Sequence, residues 1–281
     1  MFVLKDFLRR LSRCVIMGIV NSTGDSFSEG RDSSPDLAVA RGLALAKGGA
    51  DILDIGGEST RPGAENLSVN VELARVIPVV ESLKRLLPEM IFSIDTRHRE
   101  VAEAAVECGV QIINDVSMLR EAPEIAGIAA RHQVSLILNH SRAIPGVMQS
   151  EEYCRYPDGV AAGVAAELAK AKAFALASGV PEDRIVLDPG IGFAKSAAQC
   201  WEMLTELDKI APLPELAVGV SRKSFLGKLT GESNPAERKG ETLAIELELA
   251  AMGVGIIRTH GVAELVNAIK TVTYFRSLRQ K

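Results

Sequence analysis

The 281-residue sequence predicts a single (β/α)8 barrel of the TIM type, spanning residues 1–281, with its active site at the carboxyl ends of the strands. Three observations lead there. Eight short runs rich in Val, Ile and Leu recur, each closing at or beside a polar or glycine position; amphipathic stretches of helical spacing lie between them; and the run ends stand on average about 34 residues apart, the size of one βαβ unit. An open doubly wound sheet is the alternative, because a pattern of runs does not report closure.

The opening segment, "MFVLKDFLRRLSRC", is basic and amphipathic and runs directly into the first strand, so a structural lead-in is expected over a transit peptide. The runs are "VIMGIVN" (15–21), "ADILDIG" (50–56), "FSIDT" (92–96), "QIINDV" (111–116), "LILNH" (136–140), "IVLDPG" (185–190), "LAVGVS" (216–221) and "GIIRTH" (255–260). Their uniform apolarity suits strands buried on both faces. Between the first two, "DLAVARGLALAKGGA" places Leu37, Val39, Leu43 and Leu45 at helical spacing before a Gly pair stops it. "REVAEAAVECG" and "APEIAGIAARHQ" follow the same plan. The longest interval, 141–184, reads as a surface loop followed by the helix "VAAGVAAELAKAKAFALASG".

Composition narrows the function classes. With 47% hydrophobic residues, 24 Gly, 12 Pro and no charge block, the chain has material for a core and no signature of disorder. A formal charge of -4 supplies no general attraction to nucleic acid or to an anionic membrane, although a local cationic mouth remains compatible. There is no charge-free apolar stretch of about 18 residues, which argues against a membrane span. Cys14, Cys108, Cys154 and Cys200 are scattered without a C-x-x-C pair, so neither a zinc ribbon nor a disulfide framework is expected, and a reducing cytoplasm fits.

In such a barrel the strand ends converge on one mouth. This sequence sets Asn21, Asp95, Asn114, Asp115, His140, Asp188, Ser221, Arg222, Lys223, Arg258 and His260 there. Singly, an Asp or Asn at a strand end is most often a helix cap or a turn residue. Jointly they mean more. Asp95 and Asp188 lie inside apolar strand ends, where an unpaired carboxylate is costly, so N–H partners are required: Lys223, an Arg, or a bound heterocycle with an amidine-like edge. In "DIGGESTRPGA", Gly56 and Gly57 permit close backbone approach, and Ser59, Thr60 and Arg61 offer donors suited to phosphate oxygens, although a plain turn has the same composition. Arg61, Arg222, Lys223 and Arg258 would together make an anion site on an acidic protein. There is no H-E-x-x-H, no G-x-S-x-G and no complete phosphate-loop motif, so a protein-held zinc and covalent catalysis are both disfavoured. A Mg²⁺ held mostly by substrate oxygens remains compatible, with Asn21 a candidate ligand.

The motifs "MGIVNSTGDSFSEG", "DIGGESTRPGA", "SIDT", "INDVS", "LDPGIGFAK", "GVSRKSFLG" and "IIRTH", in order and spacing across about residues 15–275, closely resemble the dihydropteroate synthase family. The resemblance implies condensation of 7,8-dihydropterin-6-ylmethyl diphosphate with p-aminobenzoate to 7,8-dihydropteroate and diphosphate, assisted by Mg²⁺, in a cytoplasmic homodimer open to inhibition by sulfonamides, which mimic aminobenzoate. It assigns the pterin pocket to Asp95, Asn114, Asp188, Lys223 and Arg258, and the diphosphate site to Asn21, Thr60, Arg61, Arg258 and His260. Aminobenzoate falls to Phe27, Pro62, Phe193 and Ser221, and catalysis to Asp25, Lys223 and Arg258, with "STGDSFSEG" a lid over the leaving group. Four places depart from the family pattern: Gly24 stands for a usual Pro, Asn139 and Ser141 flank His140 where Met is common, Ala194 replaces Gly, and Gly261 replaces Asp. Two alternatives use the same barrel, a corrinoid-linked pterin methyltransferase and a catalytically impaired pterin-binding paralogue.

Overall fold

The computed structural model describes residues 2–22, 35–59, 66–144 and 146–279. Eight parallel strands follow one another around the sheet: β1 (Val15–Asn21), β2 (Ile52–Gly56), β3 (Ile91–Thr96), β4 (Ile112–Asp115), β5 (Ser135–Asn139), β6 (Ile185–Asp188), β7 (Ala217–Val218) and β8 (Ile256–Thr259). β1 pairs with both β2 and β8, and a parallel bridge from Leu187 to Leu216 joins β6 to the start of β7. The ring therefore returns on itself. The open-sheet alternative is excluded by that closure, and the (β/α)8 barrel stands.

Helices α2 (Pro35–Gly48), α3 (Val69–Leu86), α4 (Arg99–Glu107), α5 (Glu124–His132), α6 (Val160–Ala177) and α7 (Ala197–Thr205) make the outer layer up to β7. The β7–β8 connection carries two helices, α8 (Ser224–Thr230) and α9 (Lys239–Met252), and α10 (Val262–Arg279) ends the described chain. No described helix is long and apolar enough to cross a membrane.

Side-chain alternation splits the core in two. Outward-facing strand residues such as Ile16, Leu53, Ile94, Ile113, Leu138 and Ile257 pack under the helices. Inward-facing Val15, Met17, Ile52, Ile112, Ile137, Val186, Ala217 and Ile256 fill the lower barrel, where Leu4 of α1 (Leu4–Arg10) joins them fully buried. The opening segment is thus a plug. Burying Leu4 contributes about 1.5–3 kcal/mol, and Lys5 Nζ reaches Glu215 Oε2 at 2.5 Å to fasten the helix across the barrel floor.

The same alternation lifts chemistry into the mouth. Two residues beyond an inward apolar side chain, one pleat period or about 6.6 Å further up, five strands place a polar one. Ile52 leads to Asp54, Ile112 to Asn114, Ile137 to Asn139, Val186 to Asp188, and Ile256 to Arg258. The seventh run is cut shortest. After Val218 the backbone turns, Lys223 N–H bonding Val220 O at 3.1 Å, and Arg222 adopts φ +61° with its N–H on Thr242 Oγ1 at 3.0 Å.

Candidate active site

The centre of the mouth is an ion-paired floor. Arg258 rises from β8 and is gripped by two carboxylates: its Nε donates to Asp54 Oδ2 at 2.5 Å, and one Nη donates to Asp95 Oδ2. Asn114 Nδ2 donates to the same Asp54 oxygen at 3.1 Å. In the sheet, Gly56 pairs with Asp95 and Asp95 with Asn114, so Asp95 and Asn114 stand level and Asp54 lies one pleat lower on β2. Burial works against the charged form of Arg258, yet Asp54 and then Asp95 hold its pKa above the usual range. Burial pushes the Asp95 carboxyl up, the guanidinium pulling the other way and Asp54 adding to the rise.

Several polar atoms on this floor have no hydrogen-bond partner among the described residues: Asp54 Oδ1, Asn114 Oδ1 and Ser93 Oγ. Asp54 pairs in register with Ser93. Leaving a buried acceptor unsatisfied costs about 1–3 kcal/mol, a cost the fold bears directly beneath the mouth.

On the opposite wall stand Asp188 and Lys223. Asp188 Oδ1 accepts the Gly190 N–H at 2.7 Å and Asn139 pairs with it in register, while burial raises its pKa and Lys223 opposes the rise. Lys223, at the N-cap of α8, donates Nζ to Ile191 O and lies 5.0 Å over the Phe193 ring centroid. Burial lowers that ammonium to about 8, with the charge of Asp188 resisting. Ser221 completes the third side, its Oγ accepting from His260 N at 3.2 Å and pairing with His260 Nδ1 at 3.0 Å.

Most of the expected residues are therefore neighbours. Asp95, Asn114, Asp188, Lys223 and Arg258 surround one space, with Phe193, Ser221 and His260 at its edge and Asn21, half-buried, at the end of β1. Asp25, Phe27, Thr60, Arg61, Pro62 and the departure at Gly24 lie outside the described residues. Asn139 and Ser141 are both buried; Ser141 Oγ donates to Ala143 O at 3.0 Å, and Asn139 Nδ2 lies 3.5 Å from Val116 O. Gly261 donates its N–H to Thr259 Oγ1 at 3.0 Å. Asp115 does not join the cavity; its carboxylate caps the following turn, accepting from Ser117 N at 2.8 Å and Leu119 N at 2.5 Å.

Asp54 is the residue that sequence reasoning passed over. The signal was present: in "ILDIG" it shares the inward face with Ile52 and Gly56, so it is a charge on the buried side of an apolar strand. Among the described residues no group of three or more His, Cys, Asp or Glu side chains could hold a metal ion. Asn21 offers a single neutral amide oxygen, which suits Mg²⁺ only in the form where substrate phosphates supply most of the coordination.

The upper layer of the barrel thus lines its mouth with carboxylates and amides, with cations beside them. The family model "Pterin binding enzyme" matches residues 17–260, and the chain belongs to that family. A dihydropteroate synthase from Synechocystis is 40% identical over 261 residues, covering 92% of this chain and 89% of the relative. Among solved structures, dihydropteroate synthase from Xanthomonas albilineans with 4-aminobenzoic acid superposes with a TM-score of 0.85 at 38% identity, covering 94% of each chain. The enzyme from the same organism in complex with 7,8-dihydropteroate gives a TM-score of 0.82 at 36% identity and the same coverage.

Proposed function

We propose that this chain condenses 7,8-dihydropterin-6-ylmethyl diphosphate with p-aminobenzoate to give 7,8-dihydropteroate and diphosphate. The observation that carries the reading is the convergence of Asp95, Asn114, Asp188 and Lys223 on one mouth, beside an Arg258 already oriented by Asp54 and Asp95. Asp188 supplies an acceptor from the other wall, since its second oxygen is bonded to no described residue. Lys223 complements the ring's carbonyl and imine edge. Each charge-assisted bond to the heterocycle contributes about 1.5–3 kcal/mol.

Two features of Arg258 suit it to the reacting end. Its Nε and one Nη are fixed by Asp54 and Asp95, so the plane is set before substrate arrives and little ordering remains to be done on binding. Its other Nη is engaged by no described residue, and it is the donor we assign to substrate. His260, Asn21, Thr60 and Arg61 are proposed around the diphosphate. Phe193 and Ser221, with Phe27 and Pro62, are proposed around aminobenzoate.

In the reaction the carbon–oxygen bond between the pterin methylene and diphosphate breaks, its electron pair leaving on oxygen. The arylamine nitrogen forms the new carbon–nitrogen bond, and one N–H proton passes to the leaving group or to water. Asp25 is proposed to face the positive charge that develops on the pterin methylene, and the cations the negative charge that develops on the diphosphate. Mg²⁺, when bound through substrate oxygens and Asn21, supplies further neutralisation of the diphosphate. We further propose a cytoplasmic homodimer.

The test is product formation. Purified protein with Mg²⁺, the pterin diphosphate and radiolabelled aminobenzoate should yield labelled dihydropteroate that depends on both substrates. Absence of that product from folded protein would defeat the reading.

A further inference from the structure

The loop after β6 carries a pattern that the binding roles above do not use. From Gly190 to Ala194, five consecutive backbone carbonyls each accept from a side chain. Gly190 O and Phe193 O take the Lys195 ammonium at 3.1 and 3.0 Å; Ile191 O takes Lys223; Gly192 O takes Gln149 Nε2 at 2.6 Å; and Ala194 O takes the Tyr156 hydroxyl at 3.0 Å. The backbone is turned to make this possible, with φ of +64° at Gly190, +85° at Gly192 and +48° at Ala194. At Gly190 a side chain is excluded twice, because a Cβ would stand 2.0 Å from His140 O. Gln149 and Tyr156 belong to the long 141–159 segment, which therefore acts as the outer brace of this loop.

Lys195 is the centre of the arrangement. It is 2% exposed, and its three N–H bonds meet three acceptors: the two carbonyls and His140 Nδ1 at 3.0 Å. With Lys195 as the ammonium, which burial lowers to about 7, His140 Nδ1 accepts and its Nε2 carries the proton toward Glu167 Oε2 at 3.1 Å. Glu167 is held in turn by Arg142, whose Nη2 reaches it at 2.5 Å and whose guanidinium stacks 3.7 Å over the Tyr156 ring. Burial holds His140 down to about 4, the neutral form this relay needs. A buried ammonium with every proton matched costs far less than an unpaired one, and removing it leaves Phe193 O and His140 Nδ1 without this donor while Gly190 O keeps the Phe193 N–H at 2.9 Å.

We propose that Lys195 is a positioning residue for the aminobenzoate subsite: it shapes the 190–194 backbone so that Phe193 is presented to the mouth in one fixed orientation. The assignment of Phe193 to aminobenzoate rests on the function proposed above. Lys195 touches no substrate; it acts through the carbonyls on either side of Ile191 and Gly192.

Hydrogen–deuterium exchange on the intact protein tests the structural half. Lys195→Met should speed exchange of the amides in 189–196 about tenfold or more while β1 and β3 stay protected. Steady-state kinetics tests the functional half: Lys195→Met should raise KM for aminobenzoate about tenfold and shift KM for the pterin diphosphate about threefold at most. In Lys195→Ala, added propylammonium, which replaces the missing carbons and nitrogen, should restore the aminobenzoate KM. Tyr156→Phe removes the donor to Ala194 O alone, keeps the ring, and should show a smaller exchange increase confined to the same peptide, which covers the case in which the lysine variants fail to fold. Unchanged exchange in 189–196, or equal losses for both substrates with no response to propylammonium, would overturn the proposal. If the wild-type protein makes no product, the functional reading falls, and the exchange arm still decides whether Lys195 holds the loop.

Discussion

Replacing Asp188 by Asn separates ligand recognition from stability. The amide oxygen of Asn can still accept the Gly190 N–H that Asp188 Oδ1 now takes at 2.7 Å, so the loop anchor survives. What disappears is the charge on the second oxygen, which faces the proposed pterin. Losing one charge-assisted bond of about 1.5–3 kcal/mol should weaken binding of a 6-substituted pterin about 10- to 150-fold. The effect on folding is the opposite or nil. Burial raises the Asp188 pKa, so ionisation is a cost that the folded state bears at neutral pH, and Asn removes it. Against that, Lys223 and Lys195 lose a neighbouring negative charge. The two effects oppose each other, and the melting temperature should move by less than about 4 °C. The sign also appears in pH dependence. Between the unfolded carboxyl range and the raised folded value the native state holds the proton more tightly, so wild-type stability should decline as pH rises through that window. Asp188→Asn should lack this contribution. Calorimetric titration with the pterin, alongside thermal melts at several pH values, makes the comparison. Unchanged pterin affinity in a folded Asp188→Asn protein would refute the placement of the heterocycle.

Four further outcomes are expected. Asp54→Ala removes one of the two carboxylates on Arg258 and the acceptor of Asn114 Nδ2, which should cost about 1.5–3 kcal/mol and lower the melting temperature by about 5 °C; Arg258→Met, which leaves both Asp54 and Asp95 without the guanidinium, should cost more, as paired melts would show. Glu246, buried on α9 with one oxygen unpartnered among the described residues, is pushed by burial up to about 8, so Glu246→Gln should stabilise the protein little near pH 5 and increasingly as pH rises to about 8, read from paired melts. Ala194 occupies the left-handed region at φ +48°, a strain of about 1–2 kcal/mol that Gly avoids at an entropic cost of about 0.5–1, so Ala194→Gly should raise stability by up to about 1 kcal/mol in denaturant titration. Removing Mg²⁺ with a chelator should depress turnover while leaving affinity for a pterin without diphosphate unchanged by titration.

The barrel was legible because parallel strands buried on both faces cannot hide in a sequence: "VIMGIVN" became β1 without a shift of boundary. β7 was less so, since "LAVGVS" stays apolar past Val218 while the backbone has already turned toward Arg222. Strand-end polarity was enough to place Asp95, Asn114, Asp188 and Arg258 at the barrel mouth. It did not reveal Asp54, which sits a full pleat period below its strand's end, where run-by-run reading sees only an apolar stretch. Lys195 was hidden for a different reason. It follows a glycine-rich loop, where a lysine normally points to solvent, and nothing in one dimension shows that His140, fifty-five residues earlier, completes its acceptor set. Pairings across strands are set by register and closure, and these belong to the fold.

A crystal structure with a bound pterin tests the account most directly. The ring should lie in the barrel mouth with its N–H donors on the carboxylates of Asp95 and Asp188 and its acceptor edge toward Lys223, Arg258 still held by Asp54. A pterin bound elsewhere, or one that leaves those carboxylates untouched, would contradict it.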